Sequence, residues 1–337
     1  MMHETSKLAP IALFVYNRLE HTQSTVTSLQ ENELASESDL FVFSDGAKDQ
    51  AGSEAVQRVR RCICGIQGFK SVTVIERERN LGLANSVIAG ITQLCNEFGR
   101  VIAMEDDLLT TSDFLTFMNQ ALDRYENEPR IFSVSGFNFG FNTPEHYAYD
   151  AFCFYRSSSL GWGTWKDRWE RADWKLSDYE AFCADKKQQQ QFNRGGEDLC
   201  NMLALQMHGK IDSWAIRWAY THYKQDALSL LSLRSRVFHI GSDRFATNQR
   251  RRRTFKQSPL TEERKSEFQY PDTARLEDDF VLELQRLLRP SLARKLVRYL
   301  LRGRIRSRAK RIDSPMPVVA KSEPSIVPEA HGRSAVD

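Results

Sequence analysis

The sequence has no apolar run long enough to cross a membrane. Its first hydrophobic run, residues 11–16, covers about a third of a membrane span, and residues 1–10 contain no apolar stretch of the kind found in export signals. The 337 residues are 41% hydrophobic and 27% charged, with a mean hydropathy of −0.50. These values are typical of a soluble globular protein, so we expect neither a polytopic membrane protein nor an exported one.

Cysteine is scarce and scattered. Among the six cysteines the only close pair, Cys62 and Cys64, has C-x-C spacing instead of the C-x-x-C spacing of zinc and redox sites. We therefore expect reduced thiols in a cytoplasmic protein.

Two common phosphate-binding motifs are also missing. No G-x-G-x-x-G follows the first predicted strand, and no G-x-x-x-x-G-K-[ST] occurs in the sequence. Their absence argues against the usual dinucleotide-binding and P-loop proteins. Any phosphate must be bound in another way.

Short apolar runs alternate with amphipathic stretches over the first hundred residues. The pattern predicts strands at residues 11–16, 40–43, 72–76 and 101–104, and helices at residues 20–30, 53–64 and 80–98. Strands that alternate with helices predict an α/β fold with a doubly wound, mostly parallel sheet.

The later sequence predicts further helices and fewer strands. We expect one catalytic domain over residues 1–255, with a nucleotide-binding half at about 8–110 and an acceptor-binding half at about 111–255. A basic helical extension is expected over residues 256–312, and residues 313–337 have little to pack and are expected to be disordered.

Polar residues follow three of the predicted strands, at the edge where doubly wound sheets bind ligands. The densest group is Glu105, Asp106 and Asp107. Because side chains alternate along a strand, we expect Glu105 and Asp107 to face one way and Asp106 the other. Carboxylates at such an edge suit Mg²⁺ or Mn²⁺ bound together with substrate phosphates. An exposed acidic turn or a helix N-terminus, which favours the same residues, is the alternative.

Residues 101–118 resemble the metal-binding segment of the N-acetylglucosaminyltransferase I family and of related bacterial glycosyltransferases. The resemblance covers about residues 10–243, and outside the acidic segment it is carried by Asn17-Arg18, Asp45, Asn80-Leu-Gly-Leu and Gly161-Trp-Gly-Thr-Trp. It implies a GT-A-type fold and a metal-dependent, inverting glycosyltransferase that uses a nucleoside diphosphate sugar, in particular a UDP-sugar. The acceptor it implies is a hydroxyl group of a surface glycan or a lipid-linked molecule.

The resemblance also implies roles for the acidic residues. Asp107 corresponds to the direct ligand of Mn²⁺ or Mg²⁺. Glu105 and Asp106 correspond to residues that contact the ribose, the sugar or a metal-bound water.

Four residues after the earlier strands correspond to the family's nucleotide-binding positions. Asp45 resembles the carboxylate that binds uracil, although Asp45-Gly46 alone would also fit an ordinary turn. Arg18 resembles a nucleotide contact, since its guanidinium suits phosphate or base oxygens. Asn17 and Asn80 are further candidates for contacts with the nucleotide-sugar.

An inverting transfer requires a base that accepts the proton of the acceptor hydroxyl. Asp212 lies in a segment that resembles the family's Trp-Asp-Asp-Trp loop, but Ser213 stands where the family has its second Asp. Glu197 and Asp198, which follow two glycines, are rival candidates. Asp212 would alternatively cap the helix predicted from residue 213 or 214.

Two further groups of residues could bind ligands: the tryptophans of residues 161–165 and three histidines. Trp162 and Trp165 are candidates for an acceptor-binding platform, and core packing of these tryptophans is the alternative. His208, His222 and His239 lack metal-ligand spacing, so no role is predicted for them.

Basic residues dominate the C-terminal part of the chain. Between Leu284 and Ile312 there are eleven Lys or Arg residues and no Asp or Glu. The segment that begins at Leu284 and ends at Arg311 also has leucines at helical spacing, which predicts an amphipathic helix on an anionic membrane surface. This predicts a cytoplasmic enzyme that is peripheral on the inner face of the cytoplasmic membrane. The alternative is a helix that packs on the domain and leaves its basic residues in solvent. Nucleic acid is not expected as a partner, because no nucleic-acid-binding module accompanies the positive charge.

Two other functions remain open from the sequence. A sugar-nucleotidyltransferase would share the sheet and the metal, but it should carry a basic, glycine-rich phosphate loop near the first strand, and none is present. A non-catalytic protein that keeps the fold as a scaffold is the second alternative.

Overall fold

The computed structural model describes residues 7–141, 146–241 and 257–289, all within one compact unit. These residues contain ten strands: β1 (Ile11–Val15), β2 (Asp39–Ser44), β3 (Ser71–Glu76), β4 (Arg100–Glu105), β5 (Leu108–Thr110), β6 (Ile131–Ser135), β7 (Ala151–Phe154), β8 (Trp162–Trp165), β9 (Leu228–Ser232) and β10 (Val237–His239). Eight of them form one sheet in the order β3-β2-β1-β4-β8-β6-β9-β7, and β5 pairs with β10 in a separate ribbon.

The sheet is mostly parallel. Strands β1 to β4 run in the same direction, β6 is parallel to β9, β8 is antiparallel to β4 and to β6, and β7 is antiparallel to β9. The predicted α/β class with a mostly parallel sheet is therefore confirmed.

Helices cover both faces of this sheet. In the described residues they are α1 (Leu19–Gln30), α2 (Ser53–Ile63), α3 (Leu83–Phe98), α4 (Phe114–Arg124), α5 (Lys166–Trp169), α6 (Tyr179–Ala184), α7 (Lys186–Phe192), α8 (Leu199–Met207), α9 (Trp214–Lys224) and α10 (Asp278–Leu287). All five residues of β1 are buried. Ile11 and Leu13 pack in one core cluster, while Ala12 and Phe14 pack in another. This alternation is what a strand covered on both faces requires.

The chain after residue 255 contributes to the same core. Phe280 of α10 stacks on Phe152 of β7 with ring centroids 4.6 Å apart, and the Tyr125 hydroxyl donates to the Pro271 carbonyl at 2.6 Å. The change of composition near residue 255 therefore does not mark an edge of the packed unit. The basic segment beyond residue 289 and the tail at 313–337 lie outside the described residues.

Within the part of the chain that the structure describes, no helix combines the length and the apolarity that a membrane crossing demands.

A buried histidine joins α9 to the sheet. His222 is fully buried, with Nδ1 2.9 Å from the Trp218 carbonyl and Nε2 3.0 Å from the Ser133 hydroxyl. The Ser133 hydroxyl in turn lies 2.9 Å from that of Ser229. These contacts suit a neutral ring that donates from Nδ1 and accepts at Nε2. Burial lowers the pKa of His222 to about 4 from its ordinary 6.5.

We predict that His222 makes the protein less stable in mild acid. The unfolded chain binds a proton on this ring below about pH 6.5, whereas the folded protein binds it only near pH 4. The contribution of the neutral ring to the free energy of unfolding is therefore complete above pH 6.5 and is lost as the pH falls towards 4. The loss from pH 7.5 to 4.5 should be about 3 kcal/mol at most. Urea unfolding at both pH values should show a smaller decline for His222→Gln than for the unchanged protein, whereas His208→Gln, at an exposed position, should leave the decline unaltered. Equal declines in all three proteins would contradict the prediction.

Candidate active site

The carboxyl ends of the parallel strands β1 to β4 meet at one edge of the sheet. Arg18 follows β1, Asp45 follows β2, and Glu105 ends β4. The amino end of β8 lies at the same edge, because Trp162 pairs with Ala103 of β4. The topology therefore brings together the residues that the sequence places after separate strands, as expected for a doubly wound sheet.

The acidic residues form a turn that closes around an arginine. The strand ends at Glu105, and Asp106 and Asp107 occupy the turn before β5. Arg18 Nη2 donates to Asp107 Oδ2 at 2.7 Å and also donates to Asp106 Oδ1. The prediction that Asp106 and Asp107 face opposite ways is wrong, because the strict alternation of a strand stops where the strand ends.

Burial and mutual repulsion set the electrostatics of this turn. Desolvation, followed by repulsion from Asp107 and Asp106, raises the pKa of Glu105 to about 8. Desolvation also raises the pKa of Asp106 to about 6, although Arg18 opposes the shift. Desolvation opposes ionisation of Asp107 as well, but hydrogen bonds and charge interactions with His239 and Arg18 outweigh it and lower its pKa. Ionisation of three carboxyl groups this close together therefore depends on positive charges nearby.

His239 is a member of this cluster that the sequence did not predict. It lies on β10, opposite Leu108 of β5, and its Nε2 is 3.3 Å from Asp107 Oδ2. Its side chain is only 13% exposed. No spacing rule could find it, because the β5–β10 ribbon joins two distant parts of the sequence.

Asp107 has the environment expected of a cation ligand. Its side chain is 7% exposed, and Oδ1 is buried without a hydrogen-bond partner in the described residues. The backbone of Gly241 approaches so closely that a Cβ there would stand 1.9 Å from Asp107 Oδ2. Among the described residues, no group of three or more His, Cys, Asp or Glu side chains is arranged so that it could hold a metal ion by itself. A carboxylate oxygen left without a partner and an adjacent imidazole nitrogen nevertheless suit a divalent cation that takes its other ligands from a substrate.

Asp45 holds the turn that precedes α3. Its carboxylate accepts from the backbone N–H groups of Gly46 at 3.0 Å, Leu81 at 2.9 Å and Gly82 at 3.0 Å, and the Asn80 side-chain amide donates to the Gly46 carbonyl at 2.8 Å. The contact with uracil that the resemblance implies for Asp45 stays a prediction, as does a nucleotide contact for Asn80.

Asn17 lies beside Arg18 in the loop after β1 and is exposed. A nucleotide contact for Asn17 likewise remains a prediction.

Asp212 approaches the same edge from the loop before α9. Its Oδ2 lies 3.8 Å from the position that a Cβ would take on Gly82, and its Oδ1 accepts from Arg217 Nη2 at 3.2 Å. The nearby Trp214 indole hydrogen-bonds to Glu105. The loop that carries the predicted base is thus attached to the acidic turn. The alternative role of Asp212 as the cap of α9 is not observed, because Ser213 caps this helix by accepting from the Ile216 N–H.

The rival bases are held by arginines elsewhere. Both carboxylate oxygens of Asp198 accept from Arg156, at 2.8 and 3.1 Å, and Glu197 pairs with Arg289 at 3.4 Å. Arg156 follows β7, the last strand on the far side of the sheet from β1. The prediction of Asp198 as a base is therefore not supported, because its carboxylate serves a buried, bidentate ion pair.

Trp162 and Trp165 do not form an acceptor platform. They are 1% and 2% exposed and lie in different core clusters. Trp162 stacks on Trp214 at 4.9 Å, whereas the Trp165 indole donates to the Leu122 carbonyl at 3.2 Å. The stretch is strand β8, whose alternation buries both indoles, so the prediction that they bind an acceptor is wrong.

No model of a known protein family matches this chain. The chain is 25% identical over 185 residues to alpha-1,3-mannosyl-glycoprotein 2-beta-N-acetylglucosaminyltransferase of Arabidopsis thaliana. The match covers 50% of this chain and only 41% of the length of that plant protein. The predicted resemblance to the N-acetylglucosaminyltransferase I family is confirmed by this similarity.

Two solved structures show weaker likenesses. One is the mannosyltransferase PcManGT from Pyrobaculum calidifontis in complex with GDP-Man and Mn²⁺, with 15% identity, a TM-score of 0.27, and coverage of 39% of this chain and 36% of that one. The other is S. aureus TarS, with 11% identity, a TM-score of 0.37, and coverage of 69% and 37%.

Proposed function

We propose that this chain is an inverting glycosyltransferase that transfers a hexosyl or N-acetylhexosaminyl group from a UDP-sugar to a hydroxyl group of a surface glycan or a lipid-linked acceptor. The observation that carries the proposal is that Arg18 binds Asp107 at the carboxyl edge of the parallel sheet, where the hydrogen bond of Trp214 to Glu105 joins the loop of Asp212 to the same turn. The similarity to a plant N-acetylglucosaminyltransferase supports the same class of reaction.

The donor would be bound at the acidic turn. Asp107 would hold Mn²⁺ or Mg²⁺, which supplies positive charge for a diphosphate leaving group. Arg18 already provides a cation there and could contact a phosphate or the nucleotide, since a guanidinium suits phosphate oxygens. Glu105 and Asp106 would contact the ribose or the sugar.

The acceptor hydroxyl would be deprotonated by Asp212. Its Oδ1 is held by Arg217, and its Oδ2 has no hydrogen-bond partner among the described residues and lies next to Gly82. One oxygen is thus fixed while the other is available to accept a proton, which is the arrangement a general base needs.

Donor binding is the direct test of this function. Thermal unfolding should be measured with a panel of nucleotide sugars and free nucleotides, with and without Mn²⁺, followed by assays for slow donor hydrolysis. We expect one UDP-sugar to raise the melting temperature in the presence of Mn²⁺ and to be hydrolysed. No stabilisation and no hydrolysis with any donor would contradict the proposal and favour a non-catalytic scaffold, whereas release of pyrophosphate from a nucleoside triphosphate and a sugar phosphate would indicate a nucleotidyltransferase.

We propose further that the segment from Leu284 to Arg311 holds the enzyme on the inner face of the cytoplasmic membrane, where a lipid-linked acceptor would be found. The segment contains eleven Lys or Arg residues, and each of them contributes about 1 kcal/mol of binding free energy when it lies near an anionic surface. Leu284 and Leu288, at the start of the segment, are buried in the core cluster of Phe280, so the described start of the segment packs on the domain and the membrane contact would be made beyond residue 289.

Neutralising the basic residues should release the protein from anionic vesicles. We expect joint replacement of Arg294, Lys295, Arg298 and Arg302 by Gln to weaken co-sedimentation at least about tenfold, since a loss of 1.4 kcal/mol already gives that factor. The matched control replaces four exposed lysines of the domain: Lys175, Lys186, Lys187 and Lys210. Equal binding of the two variants to anionic vesicles would show that the segment does not recognise an anionic surface. Equal binding of the unchanged protein to anionic and to neutral vesicles would show the same.

A further inference from the structure

We infer that two copies of this chain associate by pairing their β3 strands edge to edge, in an antiparallel register centred on Thr73. The inference goes beyond the proposed function and does not depend on it. It gives a partner to a side of the central sheet that the described residues leave open.

Strand β3 is an open edge of the central sheet. It is the first strand in the sheet order and pairs only with β2 among the described residues. Ser71 and Thr73 are exposed, and Val72 and Val74 are half-buried. An edge strand of this kind offers its unpaired N–H and C=O groups to another strand.

The opposite edge of the sheet is covered by the chain itself. Cys153 of β7 forms a parallel bridge with Leu276, and Asp150, just before β7, donates its N–H to the Gln269 carbonyl at 2.7 Å. No segment that the structure describes does the same for β3. This strand also lacks the features that protect natural edges, since residues 71–75 contain no proline and no charge and pair with β2 without a bulge.

The direction of the backbone groups along β3 follows from its last hydrogen bond to β2. The Arg77 N–H donates to the Ser44 carbonyl at 2.9 Å, and the register with β2 runs without a shift over residues 71–76. Because backbone groups alternate in direction along a strand, those of the odd-numbered residues point towards β2. The N–H and C=O groups of Val72 and Val74 therefore point away from the sheet.

These outward groups determine the register of a symmetric pair. Antiparallel hydrogen bonds form only between residues whose backbone groups face the partner strand, so the two-fold axis must pass through a residue and not between two residues. An axis at Thr73 pairs Val72 of each copy with Val74 of the other and sets Thr73 opposite its own counterpart. An axis at Val74 would instead set Val72 opposite the charged Glu76, so the axis at Thr73 is favoured.

The charges at the two ends of β3 favour the same register. Lys70 directly precedes the strand and Glu76 ends it, and an axis at Thr73 sets Lys70 of each copy opposite Glu76 of the other. Their side chains are 54% and 42% exposed. Each has a partner on its own copy, Asp39 at 3.5 Å and Arg60 at 3.0 Å, so the contact would join two existing ion pairs at each end. The edge is thus complementary to itself in charge as well as in backbone direction.

Sedimentation equilibrium of the full-length protein over a wide range of concentrations tests the association. We expect a dimer of twice the 38.9 kDa chain mass. Val74→Pro removes an N–H that is not donated to β2, and proline is tolerated at such positions of edge strands. This variant should therefore stay folded, as checked by its melting temperature, and raise the Kd of the dimer at least tenfold.

A matched pair of lysine substitutions makes the same test through charge. Thr73→Lys sets two like charges opposite each other at the axis, which destabilises a cross-strand pair, so the dimer Kd should again rise at least tenfold. Thr273→Lys introduces the same charge at another exposed threonine and should leave the Kd unchanged.

Two charge reversals test the register. Lys70→Glu and Glu76→Lys should each weaken self-association, because each sets like charges opposite one another at both ends of the strand pair. An equimolar mixture of the two variants should form a dimer that contains one copy of each, because opposite charges then meet again at both ends.

The outcomes separate this inference from the proposed function. A single species of 38.9 kDa at every concentration, or a dimer that neither Val74→Pro nor Thr73→Lys weakens, would overturn the inference. A mixture of the charge variants that associates no better than each variant alone would overturn the register. Donor turnover should be the same in all these variants, because β2 and β1 separate β3 from the strand that carries the acidic turn.

Discussion

Replacement of Asp107 by Asn should abolish turnover of the nucleotide sugar. The substitution keeps the size of a side chain that is 7% exposed but removes the charge that would hold the cation against the diphosphate. Metal stabilisation of transition-state charge is worth several kcal/mol, so we expect kcat/KM to fall by at least about a thousandfold. The measurement is release of the free nucleotide with saturating acceptor and Mn²⁺.

Chelation should reproduce this loss in the unchanged protein. Turnover should disappear in EDTA and return when Mn²⁺ is added in excess, whereas Asp272→Asn, a substitution at an aspartate 86% exposed, should retain full activity. Undiminished turnover in EDTA would remove the metal from the mechanism. An active Asp107→Asn that is still inhibited by EDTA would move the metal to another carboxylate.

The sheet could be predicted because the fold buries its strands on both faces. A parallel strand covered by helices reads as a continuous apolar run, and residues 11–15 and 101–104 do so and are buried. Arg18, Asp45 and Glu105 lie at or just after the ends of these runs, so they could be placed at the carboxyl edge of the sheet. These predictions needed only local patterns.

The predictions failed where contacts between distant parts of the chain determine the position of a residue. Trp162 and Trp165 were predicted as an acceptor-binding platform, yet β8 enters the middle of the sheet and buries both. His239 was missed because its partner, Asp107, is distant in sequence and is brought close by a short ribbon. The ion pair of Asp198 with Arg156 could not be predicted for the same reason.

Replacement of Asp212 by Asn should lower kcat by at least about a hundredfold while the Kd for the donor stays near its original value. A general base contributes about 10²–10⁴-fold to the rate, and loss of an interaction needed only for chemistry lowers kcat without weakening donor binding. The measurements are steady-state turnover and titration of the UDP-sugar in the presence of Mn²⁺. A large rise in the donor Kd would show that Asp212 binds the donor instead.

Two matched substitutions separate the base from an ordinary surface carboxylate. Asp226 is 83% exposed and faces Arg130 at 3.9 Å, as Asp212 faces Arg217 at 3.2 Å, so Asp226→Asn should leave kcat unchanged. Glu197→Gln tests the rival that pairs with Arg289. If Glu197→Gln gives the hundredfold loss and Asp212→Asn is nearly silent, the base is Glu197, and the acceptor must then reach the donor from the β7 side of the sheet. If Asp212→Asn alone is slow, the acceptor enters beside Gly82, where the available oxygen of Asp212 lies.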